Sequence, residues 1–390
     1  MKRGFSLLFM AAVLAVSILV FPVNSLNAAK NALTLWFGAV LPALLPFFVG
    51  ASLLEQCGAA DCLAILLGSA ARRFFKCSGY SVYAYVMSII SGYPAGAKLL
   101  SQYVLEGKID RSEAARTAPL CSTSGPLFMI GTVGVAMLGD PAAGYVIALS
   151  HYLGSLVVGL VLSIGAKMPR PMEKGSVLSR AKEAFIKKSS HASPLGSALS
   201  DAISEGMATM LLICGYIMVF FLLTESLRAS GILAALSKLL SFPLSAMGFP
   251  ASQAQPLLSG VIEITTGCRA ASSAGGALPD LAAILTFIIS FGGLSVLAQS
   301  LGFLSRASIK PGRFILSKLF HGIVSAAFAY VFTTAFIGGT RPAFLPAVES
   351  MGKTSALWGG ITFAGFILLF IITVLLKKKC ALNMNRTVKH

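Results

Sequence analysis

The chain has 390 residues, with 31 Lys plus Arg against 14 Asp plus Glu, a formal charge of +17. Only 12% of residues are charged, against about 25% in a typical soluble domain, while 56% are hydrophobic and the mean hydropathy is +0.82. A soluble core cannot hide that much apolar surface, so lipid is the solvent for much of the chain. This excludes a soluble enzyme, a disordered protein and a disulfide scaffold. The positive charge sits in short clusters between apolar runs, the pattern of the positive-inside rule, and this argues against nucleic acid as a partner.

In chain order, Met1-Lys2-Arg3 precedes an apolar run from about 5 to 23, read as an N-terminal signal-anchor helix within 1–30. Further apolar segments lie near 31–54, 60–71, 79–104, 117–138 and 141–166, a first membrane half over 31–166. The polar stretch 167–199, carrying Lys167, Arg170, Lys174, Arg180, Lys182, Lys187 and Lys188, is expected to be a basic cytoplasmic linker. A second half follows over 200–338, with apolar segments near 200–226, 229–247, 255–267, 279–304 and 312–338. A C-terminal membrane helix within 339–376 and a basic cytoplasmic tail over 377–390 complete the expected organisation. The basic clusters Arg72-Arg73-Phe74-Phe75-Lys76 and 106–116 fall between segments, as orientation signals do. The seven cysteines (57, 62, 77, 121, 214, 268 and 380) contain no C-x-x-C pair and read as reduced, buried thiols; with the four scattered His they form no metal constellation.

The two halves echo one another. Phe47-Phe48 before Leu53-Leu54-Glu55 matches Phe220-Phe221 before Leu222-Leu223-Thr224-Glu225. Ser91-Gly92 and Ser259-Gly260 each open a break, 259 − 91 = 168 residues apart, and Gly125 plus 168 is Gly293. Secondary transporters are often built from such repeats, with interrupted segments at corresponding positions marking the site. The composition leaves open whether the halves are parallel or inverted.

Four breaks carry polar chemistry. In Ser91-Gly92-Tyr93-Pro94-Ala95-Gly96-Ala97-Lys98, Gly and Pro free backbone groups that lipid cannot satisfy. A helix restarting after Pro94 turns its N–H groups towards a cavity, with Lys98 a turn further on; the competing reading has Lys98 reaching for lipid headgroups. Ser122, Thr123 and Ser124 precede Gly125-Pro126 and offer hydroxyls to a solute, unless they bond their own helix. Glu263 is a carboxylate inside an apolar stretch, followed by Thr265, Thr266 and Arg269; it is a coupling-ion ligand or half of a Glu263–Arg269 structural pair. Ser290, Gly292, Gly293 and Ser295, with Gln299 a turn on, allow close backbone approach and hydrogen bonding, or simply tight helix packing. Glu55 and Glu225 read as interfacial. No nucleophile–base pair, metal motif or phosphate loop is present, so an enzyme is not expected.

Residues 90–98, 124–133 and 260–267 together resemble the sporulation integral membrane protein YlbJ family, which carries nucleoside-recognition Gate domains; the resemblance spans roughly 35–335. It implies a protein of the mother-cell-derived outer forespore membrane, moving dipicolinic acid towards the forespore and needed for the spore cortex. It also implies likeness to parts of concentrative nucleoside transporters and of the ferrous-iron transporter's membrane domain. For such a planar dianion, helix N-termini, hydroxyls, Lys98 and Arg269 are fitting donors, and Tyr93 a stacking surface.

The expectation is therefore an all-α, polytopic integral membrane protein with about 8–11 membrane segments in two related halves with broken or re-entrant helices. It would bind a small anionic solute at the four breaks, with H⁺ or Na⁺ as coupling ion and no other cofactor. Its surroundings would be the lipid bilayer and other sporulation membrane proteins. The alternatives are a non-transporting assembly or signalling factor using the 167–199 linker, and a nucleoside-type carrier.

Overall fold

The computed structural model describes residues 2–169, 176–190 and 193–337; the helix expected within 339–376 and the tail over 377–390 lie outside them. The described residues are helical throughout, joined by short turns. Helix α1 is Lys2–Val20 and α2 is Pro22–Leu35; α2 continues through a π-helical turn, Trp36–Val40, into α3, Leu41–Gln56. Helix α4 (Ala59–Phe75) is followed by α5 (Gly79–Ser91) and α6 (Tyr93–Leu105), which fold back on one another. A short α7 (Arg111–Thr117), an irregular stretch over 118–126 and a π-helical segment, Leu127–Met137, lead into α8 (Pro141–Ser163). Helix α9 (Val177–Ser189) lies in the linker.

The second half repeats that order. Helix α10 (Leu195–Ala229) is a single span, α11 (Ile232–Ala246) follows it, and α12 (Ala254–Ile262) folds back on α13 (Ile264–Ala274). Helices α14 (Leu278–Phe291) and α15 (Gly293–Arg306) form one span broken at Gly292, and α16 is Pro311–Phe336. Thus a long span, a short helix, a hairpin, a broken span and a closing span occur twice. The first spans, Pro22–Gln56 and Leu195–Ala229, are both 35 residues long. Their side-chain bonds pair Asn24 with Glu225, Trp36 with Met210, Ser52 with Glu205 and Gln56 with Ala198. One number rises while the other falls, so the two spans are antiparallel and the halves are inverted.

Among the described residues five helical stretches are long and apolar enough to cross a membrane: Pro22–Gln56, Pro141–Ser163, Leu195–Ala229, Leu278–Arg306 and Pro311–Phe336. Local signals start the helices where the chain needs them. Asp140 caps α8, accepting from the amides of Ala142 and Ala143, with Pro141 supplying a helix-ready φ. Asp110 does the same for α7 through the Glu113 amide at 2.7 Å. Buried apolar residues from both halves share a core: Tyr83, Leu100 and Tyr103 pack with Leu297, Phe303 and Phe314.

The repeat differs in one place from the sequence reading. The second hairpin turns at Glu263, whose backbone leaves the helix with φ −141° and ψ 119°, and not at Gly260. Gly260 lies inside α12, where it packs against Gly267 of α13; a methyl group on Gly267 would collide with the Gly260 backbone. Glycine there is a packing residue that lets two helices touch. Gly92 is the true break of the first hairpin: with φ 83° and ψ −178° it adopts a conformation side chains disfavour, which ends α5 and restarts the chain as α6.

The linker is not a free arm over its helical part. Helix α9 packs on α4, and Lys188 pairs with Asp61 at 3.2 Å. Lys108 joins the same cluster, at 3.2 Å from Asp61 and 2.8 Å from Glu106, above the Tyr80 and Tyr103 rings. A basic groove of about 910 Å³ beside it is lined by Arg72, Lys108, Arg180 and Lys187, so basic clusters distant in sequence gather on one end. Of the described cysteines, Cys77, Cys121, Cys214 and Cys268 are buried, Cys57 and Cys62 half-buried, and all six are unpaired.

Two expectations follow. Gly267→Val should lower the thermal unfolding midpoint in detergent, as overpacking of about 1–3 kcal/mol does, whereas Gly215→Ala, at a position with open space around it, should leave it unchanged or slightly raised. Burial alone raises the Asp61 pKa, but the Tyr80 hydroxyl and the Lys108 and Lys188 ammoniums outweigh it and hold the carboxyl below the usual range. A carboxylate so depressed stabilises the fold above about pH 4 and loses that contribution as pH falls through its folded value. Protection of the α9 amides, relative to their intrinsic exchange rate at each pH, should therefore fall on acidification below about pH 4, and in Asp61→Asn it should already be low at neutral pH.

Candidate functional site

The two hairpin turns and both broken spans border one internal cavity of about 460 Å³. Hairpin one contributes Gly92, Tyr93 and Pro94, and the irregular stretch of the first broken span contributes Gly125. Hairpin two contributes Glu263, Ile264 and Thr265, and α15 contributes Ser295, Val296 and Gln299. The remaining wall is largely apolar, from Leu35, Leu44 and Ile213 of the long spans and Phe128 of the first broken span. Residues up to 299 − 35 = 264 positions apart thus face one space.

Two helices, α6 and α13, begin at this cavity and the first turn of α15 reaches it, and the three starts differ in their capping. The carboxylate of Glu263 caps α13, accepting from Thr265 N at 3.1 Å and Thr266 N at 2.7 Å. It is almost wholly buried, and its negative charge sits at the positive end of a helix dipole. Helices α6 and α15 begin at Gly92 and Gly292, with no side chain capping either. The Ser295 hydroxyl, in the first turn of α15, is buried at the cavity without a partner. The site therefore presents the start of α6, which has no side-chain cap, the first turn of α15 and one unpaired hydroxyl to whatever enters it.

The structure separates other residues that the sequence brought under suspicion. Lys98 does not reach this cavity. It pairs with Glu205 at 2.9 Å, bonds Thr209 and stands over the Phe48 ring, in a smaller cavity of about 250 Å³ shared with Glu55, Gln102 and Lys188. Arg269 is exposed and makes no pair with Glu263, because the Glu263 carboxylate is turned onto its own helix. It lines a polar cavity of about 480 Å³ with Asn24, Asn27, Glu225, Thr265 and Thr266. The inverted repeat explains the likeness of these two cations: 98 − 93 and 269 − 264 both equal 5, so each lies five residues beyond the start of its hairpin's second helix. Glu55 and Glu225, matched in sequence, border the corresponding side cavities. Gly96 packs on the Cys121 carbonyl and Ser88, Gly292 sits beside Val296 and Tyr93, and Gly293 lies against the Gly260 carbonyl. Each of these three is where two backbones or a ring come close.

The hydroxyl run and Ser290 turn away from the cavity into a second polar centre that sequence reasoning missed. Lys318, His321 and His151 are completely buried. Lys318 Nζ donates to the Ser122 carbonyl at 2.6 Å and meets His321 Nδ1 at 3.0 Å. His321 Nε2 donates to the His151 carbonyl at 2.9 Å, and His151 Nε2 accepts from the Ser124 amide at 2.9 Å. His151 Nδ1 meets Ser290 Oγ at 2.8 Å, and Thr123 Oγ1 meets Ser88 Oγ. Tyr93 links the two centres: its hydroxyl donates to the Ile289 carbonyl at 2.5 Å, its ring lies under Lys318 Nζ at 5.6 Å, and it borders the cavity. A lysine and a histidine three residues apart inside an apolar 26-residue helix was the available signal.

No family model matches the chain. Against curated proteins it is 33% identical over 325 residues to the sporulation integral membrane protein YlbJ of Bacillus subtilis (strain 168), covering 81% of this chain and 79% of that protein. Among solved structures, a CNTnw variant in an outward-facing state superposes with a TM-score of 0.44 at 15% identity, over 87% of this chain and 86% of that one. CNTnw in an inward-facing substrate-bound state gives 0.44 at 14%, over 87% and 85%. With the helical, membrane-spanning architecture described above, the 33% identity over four-fifths of its length shows that the chain belongs to the sporulation integral membrane protein YlbJ family.

Proposed function

We propose that the protein is a non-enzymatic membrane transporter that carries a small anion, dipicolinic acid, from the mother cell across the outer forespore membrane. The observation that carries this reading is the convergence of two hairpin turns and two broken spans on one cavity between inverted halves. In lipid, backbone freed from a helix persists only where protein or a wet cavity satisfies it, and a solute anion is what two uncapped helix starts attract. A dicarboxylate can meet the α6 start with one group and the α15 start with Ser295 Oγ and Gln299 with the other, its ring beside Tyr93. Glu263 acts as the cap that orders hairpin two. Lys98 and Arg269, in the side cavities, draw anions towards either end of the path.

The test is binding of dipicolinate and of nucleosides to the purified protein by calorimetry, followed by uptake into proteoliposomes. Dipicolinate should bind and nucleosides should not. Ser295→Ala and Gln299→Ala should each weaken it by roughly 2- to 13-fold, the loss of one hydrogen bond of about 0.5–1.5 kcal/mol. Lys98→Ala should leave equilibrium affinity within about twofold, since its ammonium is paired with Glu205 outside the cavity. Nucleoside binding in place of dipicolinate would instead assign a nucleoside-type carrier. Binding of neither solute, with sporulation lost on deleting α9, would assign an assembly factor.

A further inference from the structure

We propose that Lys318 and His321, backed by His151, form a proton-binding site whose occupancy is coupled to anion binding in the neighbouring cavity. The coupling rests on the transport reading above; the proton site rests on the cluster alone.

The hydrogen bonds fix the tautomers. A carbonyl only accepts, so His321 carries its proton on Nε2, facing the His151 carbonyl, and its Nδ1 lone pair faces Lys318. The Ser124 amide only donates, so the neutral His151 accepts at Nε2 and donates from Nδ1 to Ser290 Oγ. His151 is thus a neutral acceptor, and Lys318 Nζ and His321 Nδ1, 3.0 Å apart, share one hydrogen between them. As –NH3⁺, Lys318 donates to Ser122 O and His321 Nδ1; as –NH2 it still has a hydrogen for each. Taking one proton onto the Nζ lone pair therefore changes the charge of the centre without moving a heavy atom. The Ser122 and Ser325 hydroxyls, buried and unpartnered, flank it.

Among the described residues no carboxylate locks the lysine in one state. Helix α16 packs on α14, α8 and α7. From α8 the centre is faced by His151, and by Tyr152, whose hydroxyl donates to the Ser124 carbonyl; from hairpin one it is faced by Tyr93. Helix α14 carries Asp280 in its first turn, ten residues or about three turns from Ser290. On α7, Glu113 is held by Ser78 and Ser81, and Arg116 by the carbonyls of Phe75 and Lys76. Glu263 lines the cavity with Tyr93, but its oxygens are on the amides of Thr265 and Thr266. Among the described residues no acid pairs with Lys318, so an anion on the other face of Tyr93 is the counter-charge it lacks. By linkage, an anion favoured by charged Lys318 raises the proton affinity of Lys318 to the same degree.

Two measurements on the full-length protein in nanodiscs and proteoliposomes test this. The ¹³Cε1 histidine signals, with His321 assigned by His321→Gln, should report one titration between about pH 5 and about pH 9 that Lys318→Met abolishes. Signals flat across that range in the unmodified protein would overturn the proton site. A dipicolinate gradient across vesicles loaded with a pH-sensitive dye should move protons with the solute, and Lys318→Met should cut proton movement per solute by about tenfold or more. If Lys318→Met fails to accumulate, His321→Gln carries the same expectation. Folded variants that move protons as the unmodified protein does would overturn the coupling. Absence of any dipicolinate or nucleoside binding would sink the transport reading alone, and the histidine titration would still decide the proton site.

Discussion

Every backbone amide and carbonyl that leaves a helix inside a bilayer must find a partner within the protein, and this constraint organises the molecule. The chain breaks helices at Gly92, over 118–126, at Glu263 and at Gly292. Three of the four breaks resolve their freed groups locally, in part or whole: Glu263 takes two amides onto its carboxylate, Lys318 takes the Ser122 carbonyl, and Tyr93 takes the Ile289 carbonyl beside Gly292. The starts of α6 and α15 have no side-chain cap, and Gly92 of the one and Ser295 in the first turn of the other border the cavity. The site is the residue of an accounting that the bilayer imposes.

The inverted repeat is the second organising fact. It gives each half a hairpin whose second helix starts at the cavity and carries a cation five residues on, Lys98 in one and Arg269 in the other. It gives each half an acidic residue, Glu55 or Glu225, beside that cation's cavity. The halves diverge where chemistry is concentrated: hairpin two has a carboxylate cap at its turn where hairpin one has Gly92-Tyr93-Pro94, and α16 has Lys318 and His321 where α8 has His151.

Much of this was legible in the sequence, because composition and glycine-proline punctuation respond directly to lipid. The breaks at Gly92, Gly125 and Gly292 stand out in apolar surroundings, while the second hairpin's turn falls at Glu263, three residues beyond the Gly260 where the glycine pattern put it. Direction was not legible. Whether Lys98 or Arg269 turns into the cavity depends on which face of α6 or α13 packs inward, and the acid that engages Lys98, Glu205, lies over a hundred residues away. The buried cluster was hidden for the same reason. His151 and His321 are 170 residues apart, and only the packing of α8 on α16 brings them to 4.8 Å between ring centroids.

Thr265 borders both the central cavity and the polar cavity that holds Arg269. The start of α13 in hairpin two thus lies between the central cavity and the polar side cavity. Because Gly260 rests directly on Gly267, the two arms of that hairpin have no room to slide past one another. The two arms of hairpin two are therefore held as one packed unit, with the Glu263 cap at its turn.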